Sequence, residues 1–273
     1  MPILASDLAQ LGTLLVARVL LVGALVLPLM LVPPGQPAQA AEAPPTRLSQ
    51  RAQAWPQWSL PAPLEQPGRR DLIYPNWFAG SWQVHSDAPD YTVRFGPNRS
   101  GQVVGDRAFN AQAVGAALLG SQLQGVRNDP ANPNRQLALL TPKPGLSLTL
   151  ESTVVGRHQQ QPSATSFEAD ELALQVLHGP GDPRISRVET LSRYQLQADG
   201  RITADQWQAT YASPSKGLKA DATSPQHFQL VLEPISSTPT NPTPTNPTPT
   251  NPTPTSSIPI SPPRPRPGSD PAS

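Results

Sequence analysis

The chain has 273 residues, of which 37 are proline and none is cysteine, and its formal net charge is +1. The absence of cysteine excludes disulfides, iron–sulfur clusters, thiolate zinc sites and cysteine nucleophiles. The small net charge gives no electrostatic basis for binding nucleic acid or an anionic membrane. Because the prolines cluster at both ends, roughly 160 to 170 residues remain, enough for one domain with its own core.

The N-terminal segment carries an uncharged apolar run over residues 19–32, preceded by Arg18 and followed by the small residues Ala38 and Ala40. A positive flank, a short apolar run and an A-x-A pattern are typical of a cleavable secretory signal. The alternative is a permanent anchor, but a spanning helix needs about 20 apolar residues. We therefore predict a signal peptide over residues 1–40 and an exported protein without a membrane span after cleavage.

Two further segments are rich in proline. We interpret residues 41–70 as an extended lead-in that docks Trp55 and Trp58 on the domain surface. Residues 236–273 contain serial Thr-Pro-Thr-Asn-Pro repeats, and proline at this density fixes φ and removes backbone donors. Because apolar side chains are scarce there, we predict a disordered tail, either a spacer that reaches a partner or a repeat expansion without a role.

Between these ends, residues 71–235 alternate apolar and polar side chains with period two, which predicts β-strands joined by hairpins. Eight or nine strands are expected, centred on residues 82–84, 91–95, 102–104, 136–140, 146–155, 167–177, 187–196, 202–211 and 227–232. Residues 111–119 are the helical candidate. The predicted class is mainly β, a single antiparallel up-and-down barrel, lipocalin-like, with one short helix; a sandwich is the alternative.

The segment over residues 74–84 contains Phe78, Gly80 and Trp82 in a Phe-x-Gly-x-Trp pattern. It resembles the opening of the calycin barrels, the lipocalins and fatty-acid-binding proteins. The glycine lets the chain turn into the first strand, and the tryptophan plugs the closed end of the barrel.

A wider resemblance rests on five runs, DLIYPNWFAGSWQV, VVGDRAFN, VRNDPANPNRQ, ESTVVGR and ADELALQVLHGPGDPRISRVETLSRY. These runs resemble an uncharacterised family of exported cyanobacterial proteins with chloroplast-targeted plant relatives. The resemblance implies a location in the thylakoid lumen or the periplasm, and it implies no activity.

The strand over residues 187–196 supplies the candidate ligand-binding residues. Arg187 and Arg193 share one face of this strand, while Tyr194 lies on the other. Inward arginines hold an anionic ligand head in many small-molecule sites, so we predict binding by Arg187, Arg193 or the competing Tyr194. The alternative role for the arginines is a cross-strand ion pair with Glu189 or a neighbouring residue.

Carboxylates and histidines give little indication of catalysis. Glu168 and Asp170 share a strand face opposite Glu171, and we interpret them as a solvated surface. The scattered histidines lack metal-ligand spacing, and no nucleophile elbow or phosphate loop is present. We predict no enzyme activity, no metal and no cofactor.

Two functions remain open from the sequence. The first is a lipocalin-like protein that binds a small, partly apolar ligand in the barrel: a pigment, a tetrapyrrole, a quinone or a lipid. The alternative is a non-catalytic lumenal assembly or maintenance factor that contacts a photosynthetic membrane-complex protein. The first requires an open interior with convergent polar groups, and the second a filled interior with an exposed apolar patch.

Overall fold

The computed structural model describes residues 46–87 and 89–235. The predicted signal peptide over residues 1–40 and the predicted tail over residues 236–273 lie outside these described residues.

Two α-helices, twelve β-strands and three short 3-10 turns make up the described residues. In chain order they are α1 (Arg47–Gln53), β1 (Ser59–Leu60), a 3-10 turn (Asn76–Phe78), β2 (Gly80–His85), β3 (Tyr91–Pro97), β4 (Val103–Gly105), α2 (Arg107–Leu119), a 3-10 turn (Gly120–Gln122), β5 (Leu123–Asp129), β6 (Asn132–Lys143), β7 (Leu146–Ser163), β8 (Ser166–His178), β9 (Arg184–Leu196), β10 (Ile202–Tyr211), a 3-10 turn (Pro214–Lys216), β11 (Ala220–Asp221) and β12 (Thr223–Pro234).

Ten strands form one antiparallel sheet in the order β4-β3-β2-β12-β10-β9-β8-β7-β6-β5. Neighbours in the sheet are mostly neighbours in the chain, and the last strand, β12, pairs with β2. The sheet curls into a half-barrel whose two edge strands, β4 and β5, do not pair with each other. Helix α2 connects these edge strands and contacts β3 and β5. The predicted mainly β, up-and-down antiparallel class is therefore confirmed.

Helix α2 begins one turn earlier than the predicted 111–119, because Asp106 caps it by accepting a hydrogen bond from the Phe109 N–H. It ends at Gly120, whose φ of 55° favours glycine. Neither helix in the described part of the chain is long and apolar enough to cross a membrane.

The sequence analysis predicts no strand at β5, where the residues that follow are rich in Asn and Pro. The structure pairs β5 with β6 along most of its length, with irregular register near Asn128 and Asp129. These turn-forming residues lie at the hairpin end, so the loop pattern obscured the strand before it.

The concave face of the sheet carries two apolar clusters. One is aromatic and is centred on Phe78, which is fully buried against Tyr74, Trp77 and Tyr194. Trp82 lies in the same cluster, and its indole N–H donates to the Phe78 carbonyl at 2.7 Å. The other cluster is aliphatic and is formed by leucines of β5, β6, β7 and β8 together with the end of α2.

Gly80 begins β2 between the two aromatic residues of the calycin-like pattern, with a φ of 129°. This is backbone that L side chains rarely adopt. The structure therefore places Phe78, Gly80 and Trp82 at the point where the chain turns from the lead-in into the half-barrel.

The lead-in covers the convex face of β8, β9 and β10. It contains α1, a helix the sequence analysis did not predict, which Thr46 caps by accepting from the Ser49 N–H. Leu48 and Trp58 are buried there at 0% and 1% exposure, and they pack with Leu191 and Tyr211 of the sheet. Strands β8 to β10 are consequently buried on both faces.

Leu48→Ala tests whether the lead-in is part of the cooperative fold. It removes a fully buried side chain, so we expect the free energy of unfolding to fall by about 2–5 kcal/mol. Leu218→Ala is the matched control, because Leu218 is 76% exposed and its loss should change stability by no more than about 0.5 kcal/mol. Urea denaturation followed by circular dichroism measures both, and equal small effects would contradict cooperative docking.

Candidate functional site

The half-barrel encloses a cavity of about 320 Å³. Its walls include apolar side chains of both clusters, such as Val84, Leu230, Ala138 and Leu150. Helix α2 contributes Ala111 and Val114, so the gap between the edge strands is part of the wall. The interior is therefore open, and it is lined mainly by carbon.

Polar side chains also reach the cavity, because the inner rows of several strands are mixed. In β8 the inner row contains Glu171, Ala173 and Gln175, and in β9 it contains Thr190 and Ser192. Amides, hydroxyls and one ion pair thus lie among apolar walls. This combination orients a small molecule while apolar contacts hold it.

An ion network of half-buried Asp71, Arg107 and Glu171 and buried Arg157 lies at one part of the cavity wall. Glu171 accepts from the Arg107 Nη2 at 2.9 Å and from the Arg157 Nε at 2.7 Å. Arg107 Nε also donates to Asp71 at 2.8 Å, and Arg157 Nη2 donates to Asn134 at 2.6 Å. Two guanidinium groups therefore face two carboxylates, and their formal charges cancel.

The charges of this network stabilise one another despite burial. Burial alone would raise the pKa of Glu171, but the charges of Arg107 and Arg157 outweigh it and hold that pKa below its usual value. Burial likewise opposes the charge of Arg107, yet Glu171 and Asp71 raise its pKa. Both lining groups are consequently ionised at neutral pH.

The five members of the network come from five separate sequence runs. Each of the runs quoted above supplies one residue: Asp71, Arg107, Asn134, Arg157 and Glu171. Residues 85–230, more than half of the chain, match the family model described as a domain of unknown function, DUF6816.

The chain belongs to the DUF6816 family. The matched residues include the cavity-lining parts of β3 to β10 and four members of the network, whereas Asp71 precedes them. Comparison with curated proteins and with solved structures found no match.

Of the three predicted ligand-binding residues, Tyr194 lines the cavity of the DUF6816 domain. Burial raises the pKa of its phenol, which therefore stays protonated. The structure confirms that Arg187 and Arg193 lie on the opposite face of β9 from Tyr194, and that face is convex.

Both arginines are engaged on the convex face. Arg187 donates to the carbonyls of Ala212, Gly217 and Leu218 at 2.8–3.1 Å, so it holds the loop after β10. Arg193 donates to Glu168 at 2.7 Å and lies over the Trp207 ring. These contacts separate the two arginines from the cavity and from Tyr194.

The carboxylates interpreted as a solvated strand face are buried, and that interpretation is wrong because the lead-in covers them. Glu168 accepts from Thr46 at 3.1 Å and Ser49 at 3.3 Å. Asp170 is fully buried, and no N–H or hydroxyl group of the described residues donates to either of its carboxylate oxygens. The same sequence pattern suits a solvated strand face and a covered one, and only the tertiary structure shows that the lead-in covers this face.

Asp170 lies beside a second buried carboxylate, Glu189. Glu189 accepts two hydrogen bonds from Arg51 of α1 at 2.8 Å and another from the Tyr211 hydroxyl. Burial raises the pKa of Asp170 well above its usual value, and the charge of Glu189 raises it further. Asp170 therefore holds its proton more tightly than an exposed aspartate does.

The sequence analysis did not single out Arg107, Arg157 or Gln175 as inner-face residues. The available signal was a polar residue within a row of small and apolar ones, as in the series Phe167, Ala169, Glu171, Ala173 and Gln175. A polar side chain at an inward position needs a hydrogen-bond or ion-pair partner there, supplied either by the protein or by a ligand.

Arg157→Met tests the ion network. Arg157 is 7% exposed, and its removal leaves Glu171 and Asn134 without a shared donor, so we expect a loss of about 3–5 kcal/mol in unfolding free energy. The network's contribution should be present above the ordinary glutamate pKa of about 4.3 and be lost as pH falls through the lowered pKa of Glu171. Urea titrations at several pH values measure both effects.

The matched control is Arg201→Met, which breaks the exposed pair with Asp199. Because solvent screens that pair, unfolding free energy should stay essentially unchanged. Equal responses of the two variants would contradict a structural role for the buried network.

Asp170→Asn tests the protonation of the buried pair. A raised folded pKa means that the folded state binds the proton more tightly, so stability is lost as pH rises through that pKa. Relative to Asp170→Asn, the wild-type chain should therefore become less stable as pH rises above the ordinary aspartate value of about 4. Arg51, Glu189 and Tyr211 face this position and remain in both proteins.

The matched control for Asp170→Asn is Asp199→Asn, at an exposed aspartate whose pKa is lowered by Arg201. Its stability relative to wild type should be flat from about pH 6 to pH 9. A flat profile for Asp170→Asn as well would show that Asp170 is ionised in the folded protein.

Proposed function

We propose that this DUF6816 protein binds a small, partly apolar molecule inside its half-barrel. The observation that carries the proposal is the open cavity of about 320 Å³, lined by apolar walls with amide and hydroxyl groups among them. A structural core would be filled, because protein interiors pack as densely as organic crystals. An interior left open and furnished with polar groups is typical of a ligand site.

The volume narrows the ligand class. Small-molecule sites range from about 300 to 1,000 Å³, and this cavity lies at the lower end of that range. A single-chain lipid or the ring of a small quinone suits that volume, whereas a complete tetrapyrrole or a large pigment needs more space. We therefore favour a lipid or quinone over the larger candidates.

The proposed setting follows from the N-terminal segment and the family resemblance. The signal-like pattern over residues 1–40 and the resemblance to exported cyanobacterial proteins support export to the thylakoid lumen or periplasm. We propose a non-catalytic carrier or sensor there, because the buried ionisable groups of the described residues are engaged in structural networks.

Ala173→Phe tests the binding proposal. Ala173 lines the cavity, so a phenyl group there should occupy the space that a ligand needs. We expect the wild-type protein to bind the neutral fluorescent probe N-phenyl-1-naphthylamine, and Ala173→Phe to weaken that binding at least about tenfold, as loss of about 1.4 kcal/mol would.

Val155→Phe is the matched control, because Val155 is 37% exposed and should leave probe binding unchanged. Circular dichroism verifies that both variants fold. Equal probe binding by all three proteins would place the probe outside the cavity. Extraction of the protein from its native source, followed by mass spectrometry, then identifies the natural ligand.

A second candidate is an interaction protein, such as an assembly or maintenance factor. It is favoured by Leu139, Val155 and Ile185, which are large apolar side chains exposed on β6, β7 and β9. Exposed apolar groups on several strands of one sheet suit a protein partner. Under this candidate, changes at the convex face would abolish function while Ala173→Phe would preserve it.

A further inference from the structure

Gln175 carries an unsatisfied hydrogen-bond acceptor at the cavity. Its side chain is only 2% exposed, it lines the cavity, and its Oε1 has no hydrogen-bond partner in the described structure. It is on β8 directly opposite Ser152 of β7, toward the open end of the β7–β8 hairpin. Strand pairing therefore fixes the backbone from which this side chain reaches the cavity.

A buried acceptor without a donor is costly, by about 1–3 kcal/mol. Most buried polar groups in folded proteins have a partner, so each exception needs a physical reason. The other three unpartnered atoms belong to Trp55 and Asp170, on the convex side under the lead-in. Gln175 is thus the unsatisfied buried group that faces the cavity in the described residues.

The charges around the cavity bear on the ligand's charge. Among the described residues, Arg107 and Glu171 are the charged groups that line it. They bond each other, and Arg157 and Asp71 complete a neutral set. Arg107 keeps N–H groups beyond these bonds. However, the carboxylates of Glu171 and Asp71 beside it neutralise its charge and repel an anion. Neither an anionic nor a cationic head has a free counter-charge here.

We infer that the ligand is an uncharged molecule with a hydroxyl group, and that this hydroxyl donates to the Oε1 of Gln175. The inference rests on the proposed binding function and adds the ligand's chemical class: a neutral alcohol with an apolar body. Of the two favoured candidates it selects a lipid that carries a hydroxyl group, because the oxygens of a quinone accept hydrogen bonds and donate none. The body lies against the aliphatic and aromatic walls, and the hydroxyl supplies the donor that the fold leaves out. Carboxylic acids and amines are excluded because they would bring an uncompensated charge into the cavity.

Three probes of similar length separate the requirements for charge and donor. They are 1-decanol, 1-methoxydecane and decanoate, each titrated against the bound N-phenyl-1-naphthylamine on the full chain. We expect the dissociation constant of decanol, measured by displacement of the probe, to be about five- to tenfold lower than that of the ether. One net hydrogen bond supplies a ratio of this size. Decanoate should bind at least about tenfold more weakly than decanol, because its charge is buried without a partner.

Gln175→Met then tests the named residue. Methionine has a similar volume and no strong acceptor, so the variant should bind the ether as wild type does and lose the preference for decanol. Gln229→Met is the matched control, since Gln229 is an exposed glutamine on β12, and it should keep the full preference. If Gln175→Met does not fold, Gln175→Leu replaces it under the same comparison.

The outcomes distinguish this inference from the function on which it rests. Tight decanoate binding, equal binding of alcohol and ether, or a preference that survives Gln175→Met would each overturn the neutral-alcohol inference while the cavity still binds ligands. If neither the fluorescent probe nor any of the three compounds binds, the proposed binding function itself fails. The expected pattern of wild type, Gln175→Met and Gln229→Met supports both.

Discussion

The carboxylate of Glu171 is the interaction on which the arrangement of the chain depends. It accepts hydrogen bonds from Arg107 at the start of α2 and from Arg157 in β7, and these arginines in turn bond Asp71 and Asn134. One half-buried anion thereby joins the end of the lead-in, the helix and three strands. Because a charge withdrawn from water is costly without its partners, these segments are held together in a single arrangement.

This constraint explains why the half-barrel remains open inside. The sheet is not closed by hydrogen bonds between β4 and β5, and α2 lies between its edges instead. A helix whose first residue is fixed by Glu171 holds the wall at that gap. The cavity is lined by side chains of both apolar clusters and by polar groups.

Strands β8 to β10 are buried on both faces for different purposes. The concave rows line the cavity, whereas the convex rows receive the lead-in through Glu168 and Glu189. Of the convex carboxylates, Glu168 accepts from Thr46 and Ser49, and Glu189 accepts from Arg51. Burial raises the pKa of the third, Asp170. The polar residues on the convex face of these strands therefore hold the lead-in, whereas those on the concave face line the cavity.

The sequence by itself determined the strand periodicity, the mainly β class, most of α2 and the separation of Tyr194 from Arg187 and Arg193, because alternation is a local property of the backbone. It did not determine which face was concave, since both faces of β8 and β9 carry buried polar groups. Only the tertiary structure decided that Arg193 pairs with Glu168, that Asp170 is covered, and that Gln175 faces a cavity. These facts depend on contacts between residues far apart in the chain, and neither composition nor spacing encodes whether an inward apolar row packs a core or surrounds an open space.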